Sequence, residues 1–92
     1  MEHLEKLERV VKSIANRRRL VILWHLKRRP GSPLFDIAAR LKLNLKTASE
    51  HVHRLTRAGL VVKRAEGSTV RHVLTPLGKN ILEFLRRLDN DF

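Results

Sequence analysis

The sequence has no cysteine or tyrosine and only one tryptophan, four glycines and three prolines in 92 residues. The absence of cysteine excludes disulfide bonds and thiolate metal sites. No apolar run approaches the roughly 20 residues of a membrane-spanning helix, and the N-terminal MEHLEKLERV alternates charge instead of forming a signal peptide. We therefore expect one small cytoplasmic domain with no membrane partner.

Acidic residues are scarce in the middle of the chain. The formal net charge is +11, from 20 Lys and Arg and 9 Asp and Glu. Residues 13–82 hold 15 basic and 3 acidic residues, a net charge of +12, whereas the two ends together hold 5 basic and 6 acidic residues, a net charge of −1. Solubility does not require such segregation, so the pattern indicates a polyanion-binding middle and ends with another task.

The spacing of apolar residues predicts helices in the first half of the chain. Residues 1–14 repeat apolar residues at spacings of three and four, and Asn16 can cap a second helix that ends before Pro30. Ser32 followed by Pro33 is typical of the start of a third helix. Four residues of the second helix are expected to face the core: Leu20, Val21, Leu23 and Trp24.

A fourth helix and a hairpin follow. Asn44 can cap a helix over residues 45–58, and Gly59 ends it. Residues 60–65 and 70–75 are rich in β-branched side chains and flank a polar turn, which predicts two strands.

The order of these elements predicts the fold class. Thr75-Pro76 starts a last helix over residues 76–92. The chain is then a single α+β domain over residues 1–92, mostly helical with a small hairpin, in the order α-α-α-α-β-β-α. Residues 33–58 form a helix-turn-helix and residues 60–75 form a wing.

The fourth helix combines a thin apolar edge with a polar face. Its predicted core edge consists of Leu45, Ala48, Val52 and Leu55. In a helix-turn-helix the N-terminal part of the second helix meets base edges, and the rest passes phosphates. The candidate base-contacting residues are Lys46, Thr47, Glu50 and His51, while Ser49 lies closer to the predicted core side. The candidate phosphate contacts are Arg40, Lys42, Arg54 and Arg57. An i,i+4 ion pair is the alternative role for Glu50.

The predicted hairpin is basic. Its candidate DNA-contacting residues are Lys63, Arg64, Arg71 and His72. A basic wing can reach the DNA backbone or the minor groove. Covering the edge of the core is the alternative role, and both roles can hold together.

The charge-balanced first and last helices, residues 1–14 and 76–92, each carry a long apolar stripe. So small a core can cover only one face of each helix, and an exposed apolar patch usually marks an interface. We therefore expect a homodimer, although both stripes could simply face the core. The candidate interface residues are Leu4, Leu7, Val11, Ile81, Phe84, Leu85 and Leu88.

Three segments resemble a known family: IANRRRLVIL (14–23), FDIAARLKLNLKTASEHVHRLTRAGLV (35–61) and VRHVLTPLGK (70–79). They are similar to the ArsR-like branch of the ArsR/MarR group of winged helix-turn-helix transcriptional regulators. The resemblance implies a homodimer that binds operator DNA through this fold. Many ArsR-like proteins sense metals through cysteine pairs on the third helix or His/Asp/Glu clusters on the last. Here PLFDIAARL has no cysteine and PLGKNILEFLRRL has no histidine, so we expect no metal site.

The function expected from these features is sequence-specific binding of double-stranded DNA by a nucleoid-associated regulator, acting as a repressor. The first alternative is a chromatin-type protein that coats DNA without specificity, as the net charge alone would allow. A winged-helix module that binds protein or RNA is the second. We expect no enzymatic activity and no cofactor, because the sequence has no cysteine nucleophile, glycine-rich phosphate loop or suitably spaced carboxylate pair.

Overall fold

The computed structural model describes residues 1–92 and contains five helices and three strands. In chain order these are α1 (Leu4–Ile14), α2 (Arg17–Arg28), β1 (Ser32–Pro33), α3 (Leu34–Leu41), α4 (Leu45–Arg57), β2 (Val61–Glu66), β3 (Thr69–Leu74) and α5 (Pro76–Asp89). The strands form one antiparallel sheet in the order β1-β3-β2. The predicted winged-helix fold is confirmed, with one short strand added.

Side-chain caps start three of the helices where the sequence predicted them. The Asn16 Oδ1 atom accepts from the Arg19 backbone N–H at 3.1 Å, and the Asn44 Oδ1 atom accepts from the Thr47 N–H at 2.8 Å. The hydroxyl of Thr75 accepts from the Gly78 N–H at 3.0 Å, with Pro76 as the next residue. Each contact satisfies an N–H group that the helix leaves without an internal partner.

The predicted start of the third helix is wrong at Ser32. Ser32 and Pro33 form β1 and pair with His72 and Arg71 of β3, so α3 begins at Leu34 without a side-chain cap. The Ser32 hydroxyl donates to the Arg29 carbonyl at 2.7 Å and is therefore not available to cap α3. A two-residue strand has too few positions to show a period, and so the sequence pattern could not reveal it.

The predicted inward face of α2 is wrong at two positions. Leu20 and Trp24 are 37% and 43% exposed, whereas Ile22, Leu23, His25 and Leu26 are buried. Helix α2 is the central helix and contacts α1, α3, α4, α5 and β3. Because its sequence RRRLVILWHLKR has apolar residues around most of its circumference, periodicity alone does not select the buried face.

One hydrophobic core joins the helices to the sheet. Its eleven buried members are Ile22, Leu23, Leu26, Ile37, Val52, Leu55, Ala58, Leu60, Val61, Leu74 and Leu82. From α1, Val10 and Ile14 pack against this core while half-buried, and Ile81 and Leu85 do so from α5. The first and last helices therefore pack on the core with only part of their apolar surface.

The start of α5 lies directly against the chain that leaves α4. The Leu60 carbonyl accepts from the Thr75 N–H at 3.0 Å, and the Thr75 hydroxyl donates to the Gly59 carbonyl at 2.6 Å. A Cβ atom on Gly78 would lie 2.1 Å from the Leu60 carbonyl oxygen. Only glycine fits at residue 78, because any side chain would push α5 away from Leu60.

Candidate nucleic-acid interface

Helix α4 is fixed by one buried edge and presents the rest of its surface outward. Ala48, Val52 and Leu55 are at most 1% exposed, as the periodicity predicted. Leu45 is 54% exposed, so its predicted place on the core edge is wrong. It lies in the first turn, next to the exposed cap Asn44 and before the first buried residue of the helix.

The four candidate base-contacting residues lie along one side of α4 but differ in exposure. Lys46 and Glu50 are exposed, whereas Thr47 and His51 are half-buried. Ser49, which the helical wheel placed nearer the core, is exposed. The N-terminal half of α4 thus offers an ammonium, a carboxylate, hydroxyls and an imidazole, which are groups that can bond base edges.

The candidate phosphate contacts separate into two places. Arg54 and Arg57 are exposed near the end of α4. Lys42 is also exposed, in the turn before α4, and its φ of 56° is in the left-handed region. Arg40 instead lines an apolar groove between α2 and α5 together with Trp24. Because that groove shares no lining residue with the surface around Arg54 and Arg57, the structure does not bring Arg40 together with them.

A polar cleft of about 890 Å³ lies between α1 and α4. No apolar residue lines it; the lining residues are Glu5, Glu8, Arg9, Lys12, Ser13, Arg19, Glu50, His51, His53, Arg54 and Arg57. Although acidic and basic residues share this cleft, no ion pair joins α1 to α4. The arginines of α4 therefore remain free to meet an external anion.

Arg19 is a residue of this cleft that the sequence reasoning missed. Its Nε atom donates to the Ser13 carbonyl at 2.6 Å, and its Nη1 atom lies 3.4 Å from Nδ1 of His51. Burial and the nearby charge of Arg54 lower the pKa of Arg19. Burial, followed by the positive charges of Arg19 and Arg18, lowers the pKa of His51. The only sequence signal was the position of Arg19 within IANRRRLVIL, since its partner His51 is 32 residues away.

The wing presents fewer free basic groups than predicted. Lys63 and Arg64 are exposed on β2. Arg71 is half-buried, with Nη1 donating to the Gly31 carbonyl at 3.1 Å. Its Nε atom lies 3.3 Å from a Glu66 carboxylate oxygen, an ion pair without hydrogen-bond geometry. Arg71 is thus held within the fold, and Lys63 and Arg64 remain as the free cations of the wing.

The prediction that His72 belongs to the charged surface of the wing is wrong. His72 is 3% exposed, and its Nδ1 atom lies 2.9 Å from the Ser32 carbonyl oxygen, to which it can only donate. His25 is 8% exposed, with Nε2 at 3.0 Å from the Ser32 hydroxyl. Burial, followed by the nearby charge of Arg29, lowers the pKa of His25. Both histidines therefore hold β1 against α2 and β3 instead of facing solvent.

No group of three or more His, Asp or Glu side chains is arranged to hold a metal ion. No helix is both long enough and apolar enough to cross a membrane.

Comparisons with known proteins agree with this geometry. Residues 14–64 match the model of the helix-turn-helix domain family. The chain is 38% identical over 80 residues to the transcriptional activator HlyU of Vibrio cholerae serotype O1, covering 86% of this chain and 73% of that protein. This relative is a regulator of transcription.

Two solved structures superpose over almost the whole chain. HlyU from Vibrio cholerae N16961 has a TM-score of 0.82 at 36% identity, covering 96% of this chain and 97% of that one. The homodimeric winged helix-turn-helix DNA-binding domain of Mb0332 from Mycobacterium bovis, described as a possible ArsR-family transcriptional regulator, also has a TM-score of 0.82. Its identity is 33%, and the match covers 96% of this chain and 81% of that one.

Proposed function

The chain belongs to the helix-turn-helix domain family, among the ArsR-like winged-helix regulators, and from this premise we propose that it is a homodimeric, sequence-specific DNA-binding transcription regulator. The observation that carries the proposal is the outward face of α4, where exposed cations have no acidic partner. Unpaired cations on a helix that projects from a helix-turn-helix suit the major groove of DNA.

The residues of this face divide by their position along α4. We assign contact with base edges to Lys46, Thr47, Glu50 and His51. Arg54, Arg57 and Lys42 are assigned to phosphates, and Lys63 and Arg64 of the wing to the backbone or the minor groove. Glu50 supports sequence-specific binding, because a carboxylate on this face repels phosphates but can accept from cytosine N4.

The dimer is proposed from the apolar surface that α1 and α5 leave uncovered. Leu4, Val11 and Phe84 are between 57% and 63% exposed, and Leu7 and Leu88 are about 40% exposed. A second copy of the chain would cover this surface, as homodimerisation does in small domains with thin stability margins. A two-fold dimer then implies a palindromic or pseudo-palindromic site with half-sites about one helical turn apart, or a multiple of it.

Repression is the regulatory direction that we propose, because a dimer bound over a promoter excludes other proteins from the same DNA. The Vibrio cholerae relative is a transcriptional activator, so the direction of regulation has to be measured for this chain. Expression of a reporter gene placed downstream of the selected site would decide the direction of regulation, and we expect lower expression when the protein is present.

A DNA-binding regulator acts on the chromosome, and we place this one in the cytoplasm with the nucleoid.

Selection of bound sites from random duplexes at physiological salt tests the proposal. A specific regulator should yield a palindrome that it binds at least about a thousandfold more tightly than unrelated duplex. A DNA-coating protein of the same fold should enrich no sequence, and this result would reject the proposal. Measuring affinity at several salt concentrations separates the electrostatic contribution, which is common to both functions.

A further inference from the structure

Arg19 connects the end of α1 to the DNA-facing helix. Its Nε atom donates to the carbonyl of Ser13, which lies in the last turn of α1 and so has no internal helical partner. Ser13 is itself only 5% exposed, and its hydroxyl donates to the Val10 carbonyl at 2.7 Å. With Nε held in this way, Nη1 of the same guanidinium lies 3.4 Å from Nδ1 of His51. The position of Arg19 is thus fixed by α1 and not by the residue that it faces on α4.

The chemistry of the two groups determines which of them donates. A guanidinium has five N–H donors and no acceptor, and it stays protonated in proteins. The His51 nitrogen that faces Arg19 must therefore be the nitrogen without a proton. Burial and the arginines around the ring also favour the neutral imidazole, because they lower the pKa of His51. In a neutral imidazole whose Nδ1 is an acceptor, the proton is on Nε2.

We propose that Arg19 is a positioning residue that holds His51 as the neutral imidazole protonated on Nε2, so that α4 presents a hydrogen-bond donor to DNA at this position. The DNA half of the inference rests on the proposed function. An N–H donor in the major groove selects acceptors such as N7 and O6 of guanine. Without Arg19 the proton could occupy either nitrogen, and the same side chain would then offer a donor in some molecules and an acceptor in others.

The first test measures the tautomer directly and needs no DNA. Long-range proton–nitrogen NMR at neutral pH distinguishes protonated from unprotonated ring nitrogens. In the wild-type protein the Nδ1 atom of His51 should be unprotonated and the Nε2 atom protonated. Arg19→Met should populate both tautomers. Arg18→Met is the matched control, because it removes the same charge from the neighbouring exposed residue, which makes no hydrogen bond to His51.

Three results would overturn the positioning role: a proton on Nδ1 in the wild type, an imidazolium in the wild type, or an Arg19→Met spectrum equal to that of the wild type. If Arg19→Met does not fold, the wild-type spectrum still decides the tautomer. Arg19→Lys then tests the role of Arg19. Lysine is also a pure donor, and this variant should keep more of the Nε2-protonated form than Arg19→Gln, whose amide can also accept.

The second test measures whether the tautomer of His51 affects base preference in DNA binding. Sites selected by Arg19→Met and by His51→Ala should lose preference at the same base position, and each variant should bind the wild-type site about tenfold more weakly, the worth of one base contact. Relaxation by His51→Ala but not by Arg19→Met would overturn the DNA half of the inference. A wild-type protein that selects no site would reject the proposed function, whereas the NMR result would still decide the tautomer.

Discussion

Helices α4 and α5 are capped and packed in the same way, yet their exposed surfaces differ in chemical character. A side-chain cap starts each of them, Asn44 for α4 and Thr75 for α5, and each buries one apolar edge in the core. No ion pair in the structure involves a residue of α4. In α5 the Glu83 carboxylate lies 2.6 Å from Arg86 and 3.4 Å from Arg87. Helix α5 instead exposes apolar side chains, with Phe84 57% exposed.

The difference in charge pairing and in exposed apolar surface indicates the role of each helix more clearly than its composition does. Unpaired cations contribute most to the free energy of binding an external polyanion, because their binding releases the counterions of DNA. Paired charges beside exposed apolar groups fit a protein interface, which needs a dry centre and a polar rim. Helix α1 follows the pattern of α5, with Glu8 and Lys12 paired at 3.5 Å and Leu4 63% exposed. The basic residues of α4, where DNA contact is proposed, thus have no ion-pair partner.

The largest effect is expected where the start of α5 packs against Leu60, in the segment that follows α4. Gly78→Ala places a Cβ atom against the Leu60 carbonyl, at a separation that no real Cβ contact allows. Backbone must move at the start of α5, and we expect a loss of about 3 kcal/mol in the free energy of unfolding. For a domain of this size the midpoint Tm should fall by more than about 10 °C.

Thermal and urea denaturation at fixed protein concentration would measure this loss. Lys79→Ala is the control, because it changes the neighbouring exposed residue of the same helix and should alter stability by less than about 0.5 kcal/mol. Equal stability of Gly78→Ala and Lys79→Ala would show that α5 does not rest on Leu60 in solution.

The next effect tests the apolar surface of α5. Phe84→Glu would bury a carboxylate in the proposed dimer interface, and the dimer dissociation constant should rise by at least about a hundredfold, or about 2.7 kcal/mol. Sedimentation across a range of concentrations would measure it. Lys79→Ala serves again as the control, because it changes the net charge by the same amount on the opposite side of α5. A Phe84→Glu protein that dimerises like the wild type would remove this surface from the interface.

Local features of the sequence predicted most of what distinguishes α4 from α5. The sequence did not predict the contacts between residues that lie far apart along the chain. The caps Asn44 and Thr75 and the buried edge of α4 follow from neighbours within four residues. The burial of His72 depends instead on Ser32, 40 residues away, and the contact between Arg19 and His51 spans 32 residues. Such contacts leave no periodic signal in the sequence. A histidine in a strand occupies the same place in the alternating pattern whether its ring faces solvent or a carbonyl group.

A third prediction compares arginines that are equal in charge and differ in pairing. Arg54→Ala and Arg57→Ala should each weaken binding to all sequences by a similar factor, about tenfold, and lower the slope of log affinity against log salt by about 0.9. Arg86→Ala removes the same charge from α5, where Glu83 already neutralises it, and should leave the slope unchanged. Titrations at several salt concentrations would measure the three slopes. If Arg86→Ala lowered the slope as much as Arg54→Ala, net charge and not its placement would control binding.

The smallest effect concerns the ion pairs of α5 themselves. Hydrogen bonds from Arg86, at 3.0 Å from Nε and 2.6 Å from Nη2, are the main reason that the pKa of Glu83 falls from 4.5 to about 2. Because the folded-state pKa is depressed, the pair stabilises the protein above pH 4.5, and this contribution is lost as the pH falls toward 2. Solvent and salt screen this exposed pair, so its effect on stability should be small.

Carboxyl carbon NMR through an acid titration measures the pKa of Glu83 in the folded protein. Arg86→Ala should return the pKa toward its ordinary value, and Arg87→Ala should return it less, because the contact with Arg87 is longer, at 3.4 Å. A normal pKa in the wild type would mean that the pair does not persist in solution. The charges of α5 would then be as free as those of α4, and only the exposed apolar side chains would still distinguish the two helices.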